Sequence, residues 1–222
     1  DATHDAVAAA FGSARFVTSE EFAARFTVSR ETQARLEVFA ALLLRWNARI
    51  NLIGRSTEPQ LWTRHMADSA QLWVLRPKIL THWVDMGAGA GFPGLVIAAL
   101  ARADAPDLRV TLVESDVRKC AFLAEAARAM DIHPVIRAER IEAILPLQSD
   151  VLSARALAPL ETLVEYVTKH RRPDGIGLFP KGETVHKEIE AAARRWRFEY
   201  RIHPSVTESQ GAIVEVGAVS SV

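Results

Sequence analysis

Val84-Asp85-Met86-Gly87-Ala88-Gly89-Ala90-Gly91-Phe92-Pro93-Gly94 runs straight into Leu95-Val96-Ile97-Ala98-Ala99-Leu100. An apolar strand end, a carboxylate and alternating glycines thus lead into a helix-like apolar run. Glycine lets the backbone turn at positive φ and leaves room for a ligand to lie against the main chain. Pro93 suits the first turn of the following helix, where a missing N–H costs nothing. A glycine-rich strand-to-helix turn that opens an α/β domain is the usual seat of an adenosine-bearing cofactor.

The spacing of the glycines says which cofactor. A dinucleotide fold reads G-x-G-x-x-G, with the turn packed on a pyrophosphate. Here the glycines fall at 87, 89 and 91, and Asp85 stands two residues before the first. That is the [DE]-x-G-x-G-x-G pattern of S-adenosylmethionine (SAM) enzymes, in which the methionine moiety lies against the turn. Glycine-rich turns also serve as plain corners, so the next strand matters. Leu108-Arg109-Val110-Thr111-Leu112-Val113-Glu114 runs apolar and ends in a carboxylate. Glu114 lies about as far past the turn as the acid that binds ribose hydroxyls. A carboxylate at a strand tip accepts two hydrogen bonds from a vicinal diol. Gly87, Gly89 and Glu114 are therefore candidate cofactor residues.

From residue 81 short strands alternate with helices, the signature of a doubly wound parallel sheet. Strands are expected at 82–86, 109–114, 133–137, 150–154, 176–180, 198–204 and 212–217. Helices are expected at 93–102, 116–130, 159–171 and 183–196. No helix separates the last two strands, which predicts an antiparallel hairpin at one edge. The fold class is thus α/β, the seven-stranded Rossmann-like sheet of class I SAM-dependent methyltransferases, with an N-terminal helical extension. Residues 1–80 form the helical region, packed on a catalytic domain of residues 81–222. Within it Leu36, Phe39, Leu43 and Trp46 recur at helical spacing. Thr57-Glu58-Pro59-Gln60 reads as a capping box opening a helix that closes at Arg76-Pro77. On that helix His65 falls inside the apolar arc and Asp68 at its border, an i+3 pair.

A chain of 222 residues suits one domain with a modest extension. With 49% hydrophobic residues it can build an ample core, and its apolar runs are too short to cross a bilayer. No basic-then-apolar signal opens the sequence; residues 1 to 15 read as a polar, alanine-rich leader, and a cytoplasmic, monomeric enzyme is expected. The single cysteine, Cys120, excludes an intrachain disulfide framework and a cysteine-only metal cluster. Lys+Arg and Asp+Glu balance at 27 each, which is not the signature of a non-specific nucleic-acid binder. Basic residues still cluster locally, at Arg45, Arg49, Arg55 and Arg64 and again at Lys169, His170, Arg171 and Arg172.

Several segments together resemble one family. They are Arg45-Trp46-Asn47-Ala48-Arg49-Ile50-Asn51-Leu52, Arg64-His65-Met66-Ala67-Asp68-Ser69, the glycine turn with Pro93-Gly94, Ala154-Arg155-Ala156 and Pro180-Lys181-Gly182. The chain resembles the bacterial small-subunit ribosomal RNA methyltransferase G family (RsmG, also called GidB) from about residue 30 to its end. The resemblance implies SAM-dependent methylation of a guanine N7 in 16S rRNA of the small ribosomal subunit, at the position called 527 in standard rRNA numbering. It also implies that Gly87, Phe92, Ile141, Glu142 and Arg155 contact the cofactor, with Ile141-Glu142 at the adenine edge. Phe92, Met86 and Ala88 depart from commoner family choices, which touches only the shape of the pocket.

Guanine N7 has an in-plane lone pair and no proton to remove. Its methylation needs alignment and desolvation, not a general base, and a fixed cation aimed at the base would oppose the charge it gains. No acid–base catalyst and no metal are therefore assigned. The Asn/Asp-Pro-Pro-Tyr/Phe tetrapeptide of exocyclic-amine methylation is absent. Cys120, beside Phe122 and Leu123, reads as a core residue, and Trp46, Trp62, Trp73 and Trp83 read as core rather than base-stacking surfaces. Arg64, His65 and Asp68 are candidate rRNA-docking or base-pocket residues, against a purely structural His65–Asp68 pair. Arg155 suits the SAM carboxylate or a phosphate, against a plain strand-end ion pair, and Lys181, at a similar strand end, suits a phosphate. A SAM methyltransferase of small molecules or proteins, a nicotinamide-dependent oxidoreductase and a catalytically silent ribosome-binding factor stand as alternatives.

Overall fold

The computed structural model of the protein describes residues 18–222, so the leader expected over residues 1 to 15 lies outside the described residues. Helices α1 (Ser19–Phe26) and α2 (Arg30–Asn47) open it. Thr18 and Glu21 form a reciprocal capping box on α1, satisfying two end donors at once. α2 is amphipathic: Leu36, Phe39 and Leu43 are fully buried, while Glu37 and Arg45 stay exposed.

The segment expected to be one helix capped by Thr57 folds differently. Arg55–Gln60 is a 3-10 turn, Trp62–Ala67 a π-helical stretch, and only Asp68–Val74 a regular helix, α3. The Thr57 hydroxyl donates to the Gly54 carbonyl at 2.7 Å instead of accepting from the backbone ahead of it. Gly54, not Thr57, precedes the first residue of this turn, so Thr57 lies inside it and its hydroxyl bonds back to the carbonyl three residues earlier.

A seven-stranded sheet follows, in the order β3-β2-β1-β4-β5-β7-β6. Its strands are β1 (His82–Met86), β2 (Arg109–Val113), β3 (Val135–Arg137), β4 (Ser149–Ala154), β5 (Arg171–Lys181), β6 (Trp196–Pro204) and β7 (Ala212–Ser221). The first five are parallel, and β7 runs antiparallel to both β5 and β6. The crossover helices are α4 (Gly94–Asp104), α5 (Val117–Ala129), α6 (Leu160–His170) and α7 (Val185–Ala193). β5 starts earlier than expected, at Arg171 rather than 176: Pro173-Asp174-Gly175 forms a bulge inside the strand. There the register steps from Ser149↔Arg171 to Val151↔Ile176, two residues against five.

Successive residues of the central strands face opposite layers. Trp83 points to the layer holding α1, α2, α4 and α5, where Phe22, Leu36, Met66, Leu95 and Phe122 share one apolar cluster. Val84 and Met86 point the other way, onto Val164, Val167 and Ile189 of α6 and α7. Trp73 and Trp83 are buried with ring centroids 6.1 Å apart, and Trp46 and Trp62 are half-buried against the same cluster. Strand order reverses between β1 and β4, which places a crevice at the carboxyl ends of those strands. Among the described residues no helix is long and apolar enough to cross a membrane.

Candidate functional site

The glycine turn is held from below by Asp85. Its Oδ2 accepts from the Gly94 N–H at 2.9 Å and its Oδ1 from the Ser153 hydroxyl at 2.8 Å. Ser153 in turn accepts from the Trp83 indole at 2.9 Å. Complete burial pushes the Asp85 carboxyl up to about 7, opposed by those two donors. Gly87, Gly89 and Gly91 have φ of 64°, 53° and 90°, conformations that side-chain-bearing residues adopt at a cost. Pro93 stands at the N-cap of α4, one position before its first turn.

Glu114 secures the turn from the next strand. One carboxylate oxygen accepts from the Gly89 N–H at 2.9 Å and the other from the Asp116 N–H at 2.8 Å. Cys120 is buried, its thiol donates to the Glu114 carbonyl at 3.2 Å, and burial pushes its pKa up.

Above the turn, Arg155 gathers three parts of the chain. Its Nη2 donates to His65 Nδ1 at 2.8 Å, and its Nη1 donates to the Arg64 carbonyl at 2.9 Å and faces Asp68 Oδ2 at 3.5 Å. The guanidinium carbon lies 5.1 Å from the centroid of Phe92, on which the His65 ring is also stacked at 5.1 Å. Because Arg155 donates into Nδ1, the His65 proton resides on Nε2. That N–H donates to Thr57 Oγ1 at 2.9 Å, and the Thr57 hydroxyl donates to the Gly54 carbonyl. Burial, then the Arg155 and Arg64 charges, lower the His65 pKa to about 3, so the ring is neutral at pH 7.

Asp68 accepts from Gln71 at 2.8 Å and from the Thr207 hydroxyl at 3.1 Å. Burial raises its pKa, and Arg155 pulls the other way. The expected i+3 pairing of His65 with Asp68 is not made; each meets Arg155 instead. The 100° projection behind that expectation fails because Trp62–Ala67 is π-helical, with a wider turn.

These groups wall one cavity of about 680 Å3, lined by Gly87, Gly89, Phe92, Arg155, Arg64, His65, Asp68 and Lys181, with Thr57, Thr207 and Lys119. Lys181 turns inward, donating to the Ala158 carbonyl at 2.9 Å and to Glu188 at 2.7 Å. Glu114, Ile141 and Glu142 are not part of that lining. Ile141 is buried in the α6–α7 layer, and the Glu142 carboxylate accepts from the Tyr166 hydroxyl at 2.8 Å. Thr57, Gln71 and Thr207 were not foreseen as site residues. Only Thr57 carries a sequence signal, and that signal is of a helix cap.

A family model described as GidB, rRNA small subunit methyltransferase G, matches residues 32–215. The chain belongs to this family. A member named ribosomal RNA small subunit methyltransferase G, from Cereibacter sphaeroides, is 49% identical over 195 residues, 88% of this chain and 94% of its own. Among solved structures, an O-methyltransferase from Bacillus cereus in complex with SAH superposes with a TM-score of 0.54 at 13% identity, covering 81% of this chain and 90% of that one. A SAM-dependent methyltransferase from Aquifex aeolicus gives 0.53 at 13% identity, over 81% and 97%. At such identity these two are likenesses of fold. Family and fold together make the chain a SAM-dependent methyltransferase, with the glycine turn and the Arg64-His65-x-x-Asp68-Ser69 segment both inside the matched region.

Proposed function

We propose that this methyltransferase transfers the methyl group of SAM to N7 of one guanine of 16S rRNA, position 527 in standard numbering, in the small ribosomal subunit. The observation that carries the reading is the condition of His65, the histidine lining the cavity. Both ring nitrogens are engaged and the ring is neutral, so it is not a free base. Asp68 is likewise occupied by Gln71, Thr207 and Arg155. A cavity whose acid–base groups are committed to one another suits an acceptor with no proton to lose.

The residues present fit SAM. Gly89 lines the cavity at positive φ, and a Cβ there would meet nothing closer than the Gly87 carbonyl at 3.6 Å, so that space is kept open for a ligand. SAM, when bound, supplies an activated methyl on a sulfonium. Gly87, Gly89 and Phe92 would lie along it. Glu114, oriented by two backbone donors, keeps a lone pair on each oxygen for vicinal hydroxyls. Arg155 retains N–H groups for a carboxylate, while Asp68 offsets its charge near the base. Ile141 and Glu142 are the proposed adenine edge, and Arg64 and Lys181 tentative rRNA contacts. In this reading the described part of the N-terminal region, residues 18–80, acts as a helical region against the catalytic unit of 81–222, one copy suffices, and the enzyme works in the cytoplasm.

The test is transfer of labelled methyl from SAM to small subunits lacking the modification, compared with naked 16S rRNA, proteins and small acceptors. Label in one guanine supports the proposal. Label only in another acceptor class contradicts it.

A further inference from the structure

We infer that the rRNA backbone docks on a rim formed by Arg49, Arg55 and Lys119, on the side of the cavity where the end of α2 meets the start of α5. The inference rests on the rRNA reading above and adds to it the surface that holds the phosphates.

The two basic groups in the sequence differ in what their charges already do. In the later group Lys169 donates to the Glu142 carbonyl at 2.8 Å, and His170 is fully buried. Arg171 is turned onto the carbonyls of Arg172, Pro173 and Gly175, and Arg172 pairs with Asp150 at 2.5 Å. Those cations serve the protein itself. Arg49 and Arg55 are exposed, Lys119 is half-exposed, and among the described residues none of the three enters an ion pair or a side-chain hydrogen bond. Cations without intramolecular partners are the ones that can neutralise phosphates and release counterions.

Lys119 and the residue midway between the two arginines line the cavity. Leu52 lines the cavity, and Asn47 Oδ1 holds it by accepting from the Leu52 and Ile53 N–H groups at 2.8 and 3.0 Å. Arg49 and Arg55 stand three residues before and three after Leu52. Lys119 lines the same cavity and lies one helical turn before Phe122, whose ring meets Trp46 of α2 at 5.6 Å. Of the nearby acids, Asp116 is offset by Arg118 at 3.4 Å and Glu58 keeps its charge, so among the described residues the three cations outnumber the one acid left without a cation. The rim is therefore locally cationic in a chain of zero net charge, which places phosphate affinity beside the cavity mouth.

The test uses the full chain with Arg49→Ala, Arg55→Ala and Lys119→Ala combined, and Arg197→Ala with Arg201→Ala on exposed β6 as control. KM for unmodified small subunits, its salt dependence, kcat at saturation and SAM affinity are measured for each. The rim variant should raise KM by about tenfold or more and lower the salt slope by roughly 2 to 3. With Arg49→Ala and Arg55→Ala alone, which spare the cavity wall, kcat and SAM affinity should be unchanged, Arg49→Lys with Arg55→Lys should restore most of the loss at those two positions, and the control should match the original chain. Should the triple variant melt early, the single substitutions carry the same test, each lowering the slope by about one. An unaltered KM and slope, or an equal effect in the control, overturns the docking surface. Absence of transfer to subunits by the unaltered chain overturns the rRNA reading itself, which is a separate result.

Discussion

Arg155 and His65 are 90 positions apart in sequence, yet Arg155 Nη2 lies 2.8 Å from His65 Nδ1. That bond joins the carboxyl end of β4 to the π-helical stretch of the N-terminal region, directly over the glycine turn. It settles the tautomer of the imidazole and, with Asp68, the attitude of the guanidinium. The fold's crevice becomes a shaped cavity through this contact.

Arg155→Ala should lower stability by roughly 3 kcal/mol, because it leaves Asp68 as a buried carboxylate without its cation. Arg155→Lys keeps the charge but cannot bond His65, the Arg64 carbonyl and Asp68 in one plane. It should fold, and its kcat/KM should fall by about tenfold or more, roughly 1.4 kcal/mol of transition-state stabilisation. Thermal melts and steady-state rates check both, and a lysine variant with full activity contradicts the planar clamp.

His65→Ala should lose about tenfold to a hundredfold in methyl transfer while SAM affinity stays within a few-fold, since the ring shapes the base side of the cavity. Calorimetric SAM binding and single-turnover rates separate the two effects. Nitrogen chemical shifts of labelled histidine should show the Nε2–H tautomer persisting well below pH 6.5, as a pKa of about 3 requires. An Nδ1–H tautomer, or global loss of folding in the alanine variant, contradicts the assignment.

Two glycines of the turn should fail in different ways. A Cβ at Gly87 would stand 2.5 Å from Leu157 Cδ1, so Gly87→Ala must displace Leu157 and should destabilise the fold by about 2 kcal/mol, strain and overpacking together. At Gly89 the Cβ would meet only the Gly87 carbonyl at 3.6 Å. Gly89→Ala should therefore cost about 1 kcal/mol in stability for its positive φ, and lose most SAM affinity because its methyl projects into the cavity. Equal melting temperatures with equal SAM affinities contradict this division.

Asp85 gives the fold a pH signature. Its folded-state pKa of about 7 exceeds the ordinary 3.8, so across that window the folded chain holds a proton the unfolded chain has released. The stability it contributes is complete below pH 4 and is lost as the pH rises through 7. His65, His82 and His170, lowered to about 3, 4 and 4, act in the opposite sense, stabilising above 6.5 and losing that contribution as the pH falls. The clean readout is the Tm of Asp85→Asn minus that of the original chain, which should grow from pH 4 to pH 8. A difference that does not change with pH contradicts the buried, proton-holding carboxyl.

The parts legible in the sequence were those governed by local chemistry. Short apolar runs mark β1, β2 and β4, which are buried along almost their whole length, and the glycine spacing marks the turn, because strand burial and positive φ are written in adjacent residues. β5 was read short because Pro173-Asp174-Gly175 signals a turn, and only pairing with β4 makes it a bulge. Thr57 was read as a cap because the residues around it satisfy a local rule, while the His65 ring that claims its hydroxyl depends on the π-helical stretch. The convergence of Arg155, Asp68 and Thr207 spans 139 positions between the last two, a distance over which periodicity carries no information. Arg155 and Asp68 were each singled out, but their meeting was not.

The most direct test of the central claim is methyl transfer from labelled SAM to small ribosomal subunits lacking the modification, followed by cleavage mapping of 7-methylguanine. Label is expected at one guanine, position 527 in standard numbering, and none on subunits already modified there. SAM binding with label at a different atom, a different base or no rRNA position at all contradicts it.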